Sequence, residues 1–188
     1  MTTRSVRTWL IGLIGAAVLA AVGLTASAGA AGSATRATDR LGDVSIIRHV
    51  TAQFHSIASA EKAGYVLFSD VHDKTCIAMP GMGGMGVHYV NPALISDPRI
   101  RLRHPEALVY APDKDGTLRL AAVEYLVDRT AWHVDNTGRP RLFPHRRFNF
   151  TDAPNRFGLD PFYSQHVWAW KQNPAGLLSM WNPAVHCR

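Results

Sequence analysis

The amino-acid sequence predicts an α+β domain in which one N-terminal amphipathic helix packs on an antiparallel β-sheet or a small barrel. Apolar residues recur at three- and four-residue spacing between positions 43 and 61, which is the period of one helix face. Beyond Gly64 that period is lost and turn residues become frequent. Residues 107–111 and 118–127 resemble two strands, and the Pro-Asp-Lys-Asp-Gly sequence between them is typical of a hairpin turn.

The predicted helix has recognisable end signals. Asp43 fits the N-cap position, Lys62 suits the last turn, and Gly64 can take the left-handed conformation that ends a helix. Residues 87–90 and 162–170 are further strand candidates, because apolar and aromatic residues are concentrated there. One helix followed by several strands is the expected order of elements.

The first thirty residues have the pattern of a secretory signal peptide. Arg4 and Arg7 precede an apolar run of about 15 residues, which is short of the roughly 20 needed to cross a bilayer. Alanines at positions 26, 28 and 30 supply the small residues that signal peptidase cleavage requires. The alternative interpretation of this segment is an uncleaved membrane anchor. We therefore expect residues 1–30 to be a cleaved signal, residues 31–42 a flexible N-terminus, and residues 43–188 the single globular domain of a secreted protein. No transmembrane segment is expected after processing.

The charge balance narrows the choice of partners. The chain has 20 Lys and Arg against 14 Asp and Glu, with a formal net charge of +6. These basic residues are scattered and no nucleic-acid-binding motif accompanies them, so we expect no nucleic-acid partner. A modest positive charge on an exported chain favours a weak association with an anionic cell envelope.

Cys76 and Cys187 are the only two cysteines of the chain. Export places them in an oxidising compartment, so a disulfide between them is the default prediction. It would close a loop of about 110 residues, for which chain-entropy estimates give roughly 4–5 kcal/mol. A pair of thiolate metal ligands is the alternative.

Glu124 is an acidic residue in a stretch that is otherwise largely apolar. Side chains of a strand alternate between its faces, so strict alternation places Glu124 with the leucines at positions 118, 120 and 126. A carboxylate at the centre of an apolar face is costly unless it is paired, protonated or bound to a metal ion. A bond to one Arg or Tyr of a neighbouring strand is the simplest explanation, and a metal site is the alternative.

Two histidines occupy comparable positions in other predicted strands. Alternation over residues 162–170 puts His166 on a mainly aromatic face, while His88 shares a face with Gly86 and Val90. We therefore expect His88, Glu124 and His166 to converge on the domain interior. Two histidines and one carboxylate are a familiar ligand set for zinc, iron or manganese, with open positions for water or substrate. The same groups could also work as an acid–base pair without a metal ion.

Four aromatic residues lie beside these positions and are candidates for lining a small-ligand pocket. They are Tyr89, Tyr125, Trp168 and Trp170. The two tyrosines flank the predicted ligands in sequence, and the two tryptophans share the face of His166. Ordinary strand packing also explains the tyrosines.

A second candidate metal site is local in sequence. Met79, Met82, Met85 and His88 recur at strict three-residue spacing within a Gly-rich segment. Thioethers are soft ligands that select Cu(I), so this Met/His loop could handle copper outside the cell. Methionines also fill gaps in apolar cores, and that alternative requires no copper.

Four motifs form an ordered set along the chain. They are Gly-Gly-Met-Gly-Val-His-Tyr-Val-Asn-Pro at 83–92, Val-Glu-Tyr at 123–125, His-Val-Trp-Ala-Trp at 166–170 and Trp-Asn-Pro-Ala-Val-His-Cys at 181–187. This set resembles a family of exported actinobacterial proteins of unassigned activity. The resemblance implies secretion, a single domain and a structural role for both cysteines, and its motifs contain His88, Glu124 and His166. The Leu-Phe-Pro-His sequence at 142–145 departs from the Leu-Phe-Gly expected there.

The sequence is consistent with three functions. The first is a secreted protein that binds a metal ion or small ligand through the interior His/Glu pocket, with or without catalysis. The second is extracellular copper handling through the Met/His loop. The third is a non-catalytic, envelope-associated interaction domain in which the buried polar residues form a structural hydrogen-bond network.

Overall fold

The computed structural model describes residues 41–143 and 146–187, which form an α+β fold. The helices are α1 at residues 41–51, α2 Ile57–Lys62, α3 Pro92–Ile95 and α4 Arg129–Asp135, with a 3-10 helix at Ala52–His55 between the first two. The strands are β1 Val66–Leu67, β2 Cys76–Met79, β3 Gly83–Val90, β4 Ala107–Pro112, β5 Leu118–Asp128, β6 Asn149–Thr151 and β7 Phe162–Val167. The predicted signal peptide and most of the predicted flexible N-terminus lie outside the described residues.

The strands form one open antiparallel sheet, the first of the two predicted arrangements. Their order is β1-β3-β4-β5-β7-β6, and β2 pairs with the other half of β3. The predicted hairpin is the β4–β5 pair, which occupies the centre of the sheet. No helix among the described residues is long and apolar enough to cross a membrane.

The N-terminal helical segment is divided where the sequence predicts one continuous helix. Ser56 adopts an extended conformation, with φ −89° and ψ 118°, and its hydroxyl accepts a hydrogen bond from the backbone N–H of Ser59. A side chain that caps the following helix in this way ends the preceding one. Gly64 has φ +90° after α2, as its predicted left-handed role requires.

The main core lies between the helical segment and one face of the sheet. Ile47 and Phe54 are buried in the same cluster as Tyr89, Tyr110 and Tyr125. The hydroxyl of Tyr110 donates a hydrogen bond of 2.6 Å to the carbonyl of Phe54. This contact ties the helical segment to the centre of the sheet.

A bulge in β5 separates the leucines from Glu124. Val109 pairs with Ala122 and Tyr110 pairs with Leu120, so Ala121 is an extra residue in β5. Leu120 is therefore buried in the main core, and Leu118 packs against that core. The prediction that Glu124 shares a face with three leucines is therefore wrong for Leu118 and Leu120. The inserted residue reverses the face on which the side chains before it lie.

The C-terminal segment is fastened to β3 and β2. The backbones of Gly84 and Asn182 exchange hydrogen bonds of 3.1 and 3.0 Å, and the predicted disulfide between Cys76 and Cys187 is present. Gly83 has φ +93°, and a Cβ atom there would lie 2.2 Å from the carbonyl oxygen of Asn182. Glycine is thus required where the segment crosses β3.

Candidate metal centre

Three strands bring His88, Glu124 and His166 to the sheet face opposite the main core. Glu124 on β5 pairs directly with His166 on β7. On β4, the residue opposite Glu124 is Ala107, and the residue opposite His88 is Val109, two positions along the same strand. His88 therefore approaches Glu124 diagonally across β4.

The polar atoms of the three side chains lie close together. Nε2 of His88 is 3.3 Å from Nε2 of His166 and 3.4 Å from Oε2 of Glu124. Nδ1 of His166 is 3.2 Å from Oε1 of Glu124. One ligand atom from each residue can be chosen so that all three lie within 4.8 Å of one another. Tetrahedral ligands about 2.1 Å from a zinc ion are about 3.4 Å apart, so the two separations from His88 match that spacing.

Burial controls the ionisation of this cluster. All three side chains are buried, and His166 is 0% exposed. Desolvation lowers the pKa of His88 to about 4 and raises the pKa of Glu124 to about 8. Desolvation, together with the nearby His88, holds the pKa of His166 well below its ordinary value. Burial therefore favours the uncharged form of each group, which is the neutral imidazole for both histidines and the protonated carboxyl group for Glu124.

Neighbouring groups orient the cluster, and two of its nitrogen atoms make no hydrogen bond within the described part of the chain. The Ser164 side chain forms a hydrogen bond with Glu124. This bond lowers the pKa of Glu124 and so opposes part of the rise that burial causes. The ring of Trp168 stacks on His166 with centroids 6.3 Å apart. Nδ1 of His88 and Nδ1 of His166 make no hydrogen bond to a described residue, although Nδ1 of His166 lies 3.2 Å from Oε1 of Glu124. A buried polar atom that makes no hydrogen bond is costly.

A narrow, mainly apolar cavity of about 90 Å³ adjoins His88 and Glu124. Its lining residues are Phe68, Met85, His88, Val90, Ile95, Glu124, Leu126, Thr151, Phe157, Leu159, Phe162, Ser164 and Met180. Leu159 is 41% exposed, which places the mouth of the cavity beside the loop that precedes β7. A ligand entering there would reach the cluster along apolar walls.

An ion pair fixes two loops that contribute Phe68 and Phe157 to this cavity. The guanidinium of Arg156 donates to the carboxylate of Asp70 at 2.5 and 3.0 Å, and it also donates to the carbonyl of Ala78 at 3.1 Å. The bond from Arg156 lowers the pKa of Asp70 to about 2, and backbone N–H groups of its own loop assist. The pair therefore persists throughout the neutral range.

The predicted pocket aromatics divide between two places. Tyr89 and Tyr125 lie in the main core on the opposite face, because each is one residue from a cluster member on an alternating strand. Trp168 lies beside His166, as its predicted pocket position requires. The prediction that the strand continues to position 170 is wrong, because β7 ends at Val167. Trp170 points to the helical segment, where its indole N–H donates to the Thr51 hydroxyl at 3.0 Å.

The residues of the predicted copper loop differ in their surroundings. Met79 and Met82 are 40% and 47% exposed near the turn between β2 and β3. Met85 is buried with Ile77 and Trp181, and it also lines the cavity beside His88. A bulge explains this position, because Ile77 and Ala78 of β2 pair with Gly86 and Gly84 and leave Met85 between them.

Some cavity residues were not identified from the sequence. Phe157 and Leu159 lie in an irregular loop, where no periodicity indicates which way a side chain points. Ser164 is detectable in the sequence, because it alternates with His166 on the predicted strand. Its bond to Glu124 depends on a register that the sequence does not specify.

Comparison with family models, with curated proteins and with solved structures finds no match to this chain. Its function is therefore inferred from its own side chains and their geometry.

Proposed function

We propose that this protein binds one divalent transition-metal ion, with zinc as the first choice, through His88, Glu124 and His166. The observation that carries the proposal is the convergence of three buried ligand atoms from three strands within 4.8 Å of one another. Two imidazoles and a carboxylate also suit iron and manganese, and three protein ligands leave at least one coordination position open. That position is the one available to water or to a small ligand, as in catalytic zinc sites.

A metal ion accounts for features that a simple hydrogen-bond network leaves costly. Three ionisable side chains, those of His88, Glu124 and His166, are buried together on the sheet face. An ion bound to one nitrogen atom of each histidine and to Glu124 would stabilise the carboxylate in its charged form. The strands hold the three side chains before an ion arrives, so little ordering is needed on binding.

We also propose that the mature chain works outside the cytosol. The predicted signal peptide motivates this, and the disulfide between Cys76 and Cys187 supports it, because such bonds persist in oxidising compartments. Mass spectrometry of the culture medium tests this proposal. We expect to find the chain there with residues 1–30 removed by cleavage.

The metal proposal is tested by calorimetric titration of the disulfide-bonded protein with zinc after removal of metal by EDTA. We expect one equivalent for the wild type and none for Glu124→Gln or His88→Ala. Glu106→Gln is the matched control, because Glu106 is also buried but its carboxylate accepts a bond from the backbone N–H of Leu126 instead. Binding that survives Glu124→Gln at full affinity, or no binding by the wild type, would overturn the proposal.

A further inference from the structure

The cavity beside the metal centre has one strongly polar end. His88 and Glu124 form that end, whereas Leu126, Phe157 and Phe162 are among the apolar residues that form the walls. Thr151 and Ser164 are the only other polar lining residues in the described ranges. A ligand that fits must combine one metal-binding group with an apolar body.

The charge of the loaded centre selects the type of metal-binding group. A divalent ion with two neutral imidazoles and one ionised carboxylate carries a net charge of +1. No lysine, arginine or aspartate is among the described residues that line the cavity. A buried net charge is costly, so a fourth ligand with one negative charge is favoured over a neutral or cationic ligand.

The volume of the cavity limits the apolar body. At about 90 Å³ it is smaller than the cavity of about 150 Å³ that accommodates benzene in a protein core. A short alkyl chain therefore suits it better than a ring. The mouth at Leu159 lets a longer chain continue into solvent, where further methylene groups gain nothing.

We propose that the centre binds a short-chain monocarboxylate of about three to five carbons, with its carboxylate on the metal ion and its alkyl chain in the cavity. The acyl chain lies between Leu126, Phe157 and Phe162, and the carboxylate neutralises the loaded centre. This inference rests on the proposed metal function and names the ligand class of the same site.

The test uses the full mature chain loaded with Co²⁺, a stand-in for zinc whose visible absorption reports its own ligands. Acetate, propionate, butyrate, pentanoate, hexanoate and octanoate are titrated separately, with butanol and butylamine as the neutral and cationic controls. We expect the carboxylates to shift the absorption and the apparent affinity to rise about fourfold per added methylene up to about five carbons, then to level off. Butanol and butylamine should leave the spectrum unchanged at the same concentrations.

A substitution in the apolar wall of the cavity should change the acid chain length at which the apparent affinity stops rising. Phe157→Ala removes a ring from the lining, so we expect the rise to continue to longer acids while cobalt uptake is unchanged. Met82→Ala, at an exposed position outside the lining, is the control and should behave as the wild type.

The outcomes separate the two proposals. If cobalt binds but affinity does not depend on chain length, or if butylamine binds as well as butyrate, the ligand inference is overturned and the metal centre stands. If cobalt does not bind at all, both are overturned.

Discussion

Glu124 and His166 are direct partners across β5 and β7, and Oε1 of the glutamate lies 3.2 Å from Nδ1 of the histidine. Direct pairing on adjacent antiparallel strands places the Cβ atoms of the two residues about 4.5–5.5 Å apart. His88 completes the group from β3 on the far side of β4. The backbone of the central sheet thus sets the geometry of the proposed centre.

The free energy of unfolding of the metal-free protein should fall as the pH rises from about 6.5 to 8 and should level off above that. The carboxyl group of Glu124 has a pKa raised to about 8, so the folded state holds a proton that the unfolded state releases at lower pH. Glu106 has a pKa raised to about 8 for the same reason, burial. Between pH 6.5 and 8 we expect each carboxyl group to lower the free energy of unfolding by at most about 2 kcal/mol. Urea unfolding in EDTA measures this.

Two comparisons make that prediction specific. Glu124→Gln should remove the part of the decrease in the free energy of unfolding that Glu124 causes, because an amide does not titrate. Saturating zinc should also remove it, because a zinc-bound carboxylate is ionised at both pH values. Below pH 6.5 the lowered pKa of His88 works in the opposite direction and reduces stability as the pH falls towards 4. A Glu124→Gln variant with the full wild-type pH dependence would contradict this explanation.

Breaking the ion pair between Asp70 and Arg156 should loosen the cavity walls. Arg156→Met removes the hydrogen-bond donors to Asp70 and to the Ala78 carbonyl. The loops that carry Phe68 and Phe157 are then no longer joined by an ion pair. We expect faster amide hydrogen exchange in both loops and faster zinc release to a chelator, with unchanged stoichiometry. Arg119→Met, which breaks an exposed pair with Asp113, is the control. Equal release rates in the two variants would count against a role for the pair.

The methionines should differ in their effect on stability. Replacement of exposed Met79 and Met82 by leucine should change the free energy of unfolding by less than about 0.5 kcal/mol and leave zinc binding intact. Met85→Ala should cost about 2–4 kcal/mol, because it empties a buried position against Ile77 and Trp181. Chemical unfolding distinguishes the two. Cu(I) binding that is lost in the Met79 and Met82 variant and kept in Glu124→Gln would favour the copper alternative.

The disulfide should contribute stability without forming part of the centre. Cys76→Ser combined with Cys187→Ser opens a loop of 111 residues, and we expect a loss of about 4–5 kcal/mol in the free energy of unfolding. Cys76 pairs with Val87, next to His88, so a folded double variant also reports whether β3 keeps its position. Zinc stoichiometry measured well below the melting temperature should remain one. Loss of zinc binding in a folded variant would show that the bond positions His88.

Alternation along single strands was enough to identify the three proposed ligands but not their surroundings. Glu124, His88 and His166 each lie in a regular stretch of strand, where period two assigns a face correctly. The leucine at position 120 was assigned to the wrong face, because the bulge at Ala121 depends on pairing with β4. The break at Ser56 likewise interrupts an apolar helical period that continues on both sides of it.

The cavity was beyond prediction for a different reason. Phe157 comes from an irregular loop whose position depends on the bond between Arg156 and Asp70, 86 residues apart in sequence. No local pattern carries that information, because loop conformation is set by distant tertiary contacts. Residue chemistry thus indicates the three proposed metal ligands, whereas the shape of the adjoining cavity is visible only in three dimensions.

The most direct measurement is a crystal structure of the zinc-loaded protein with anomalous data collected on both sides of the zinc absorption edge. We predict a single strong anomalous peak about 2.0–2.2 Å from one nitrogen atom each of His88 and His166 and from an oxygen atom of Glu124. The peak should face the cavity, with a water molecule or anion at the remaining position. A peak elsewhere, or none among these residues in protein with one bound equivalent of zinc, would contradict the account.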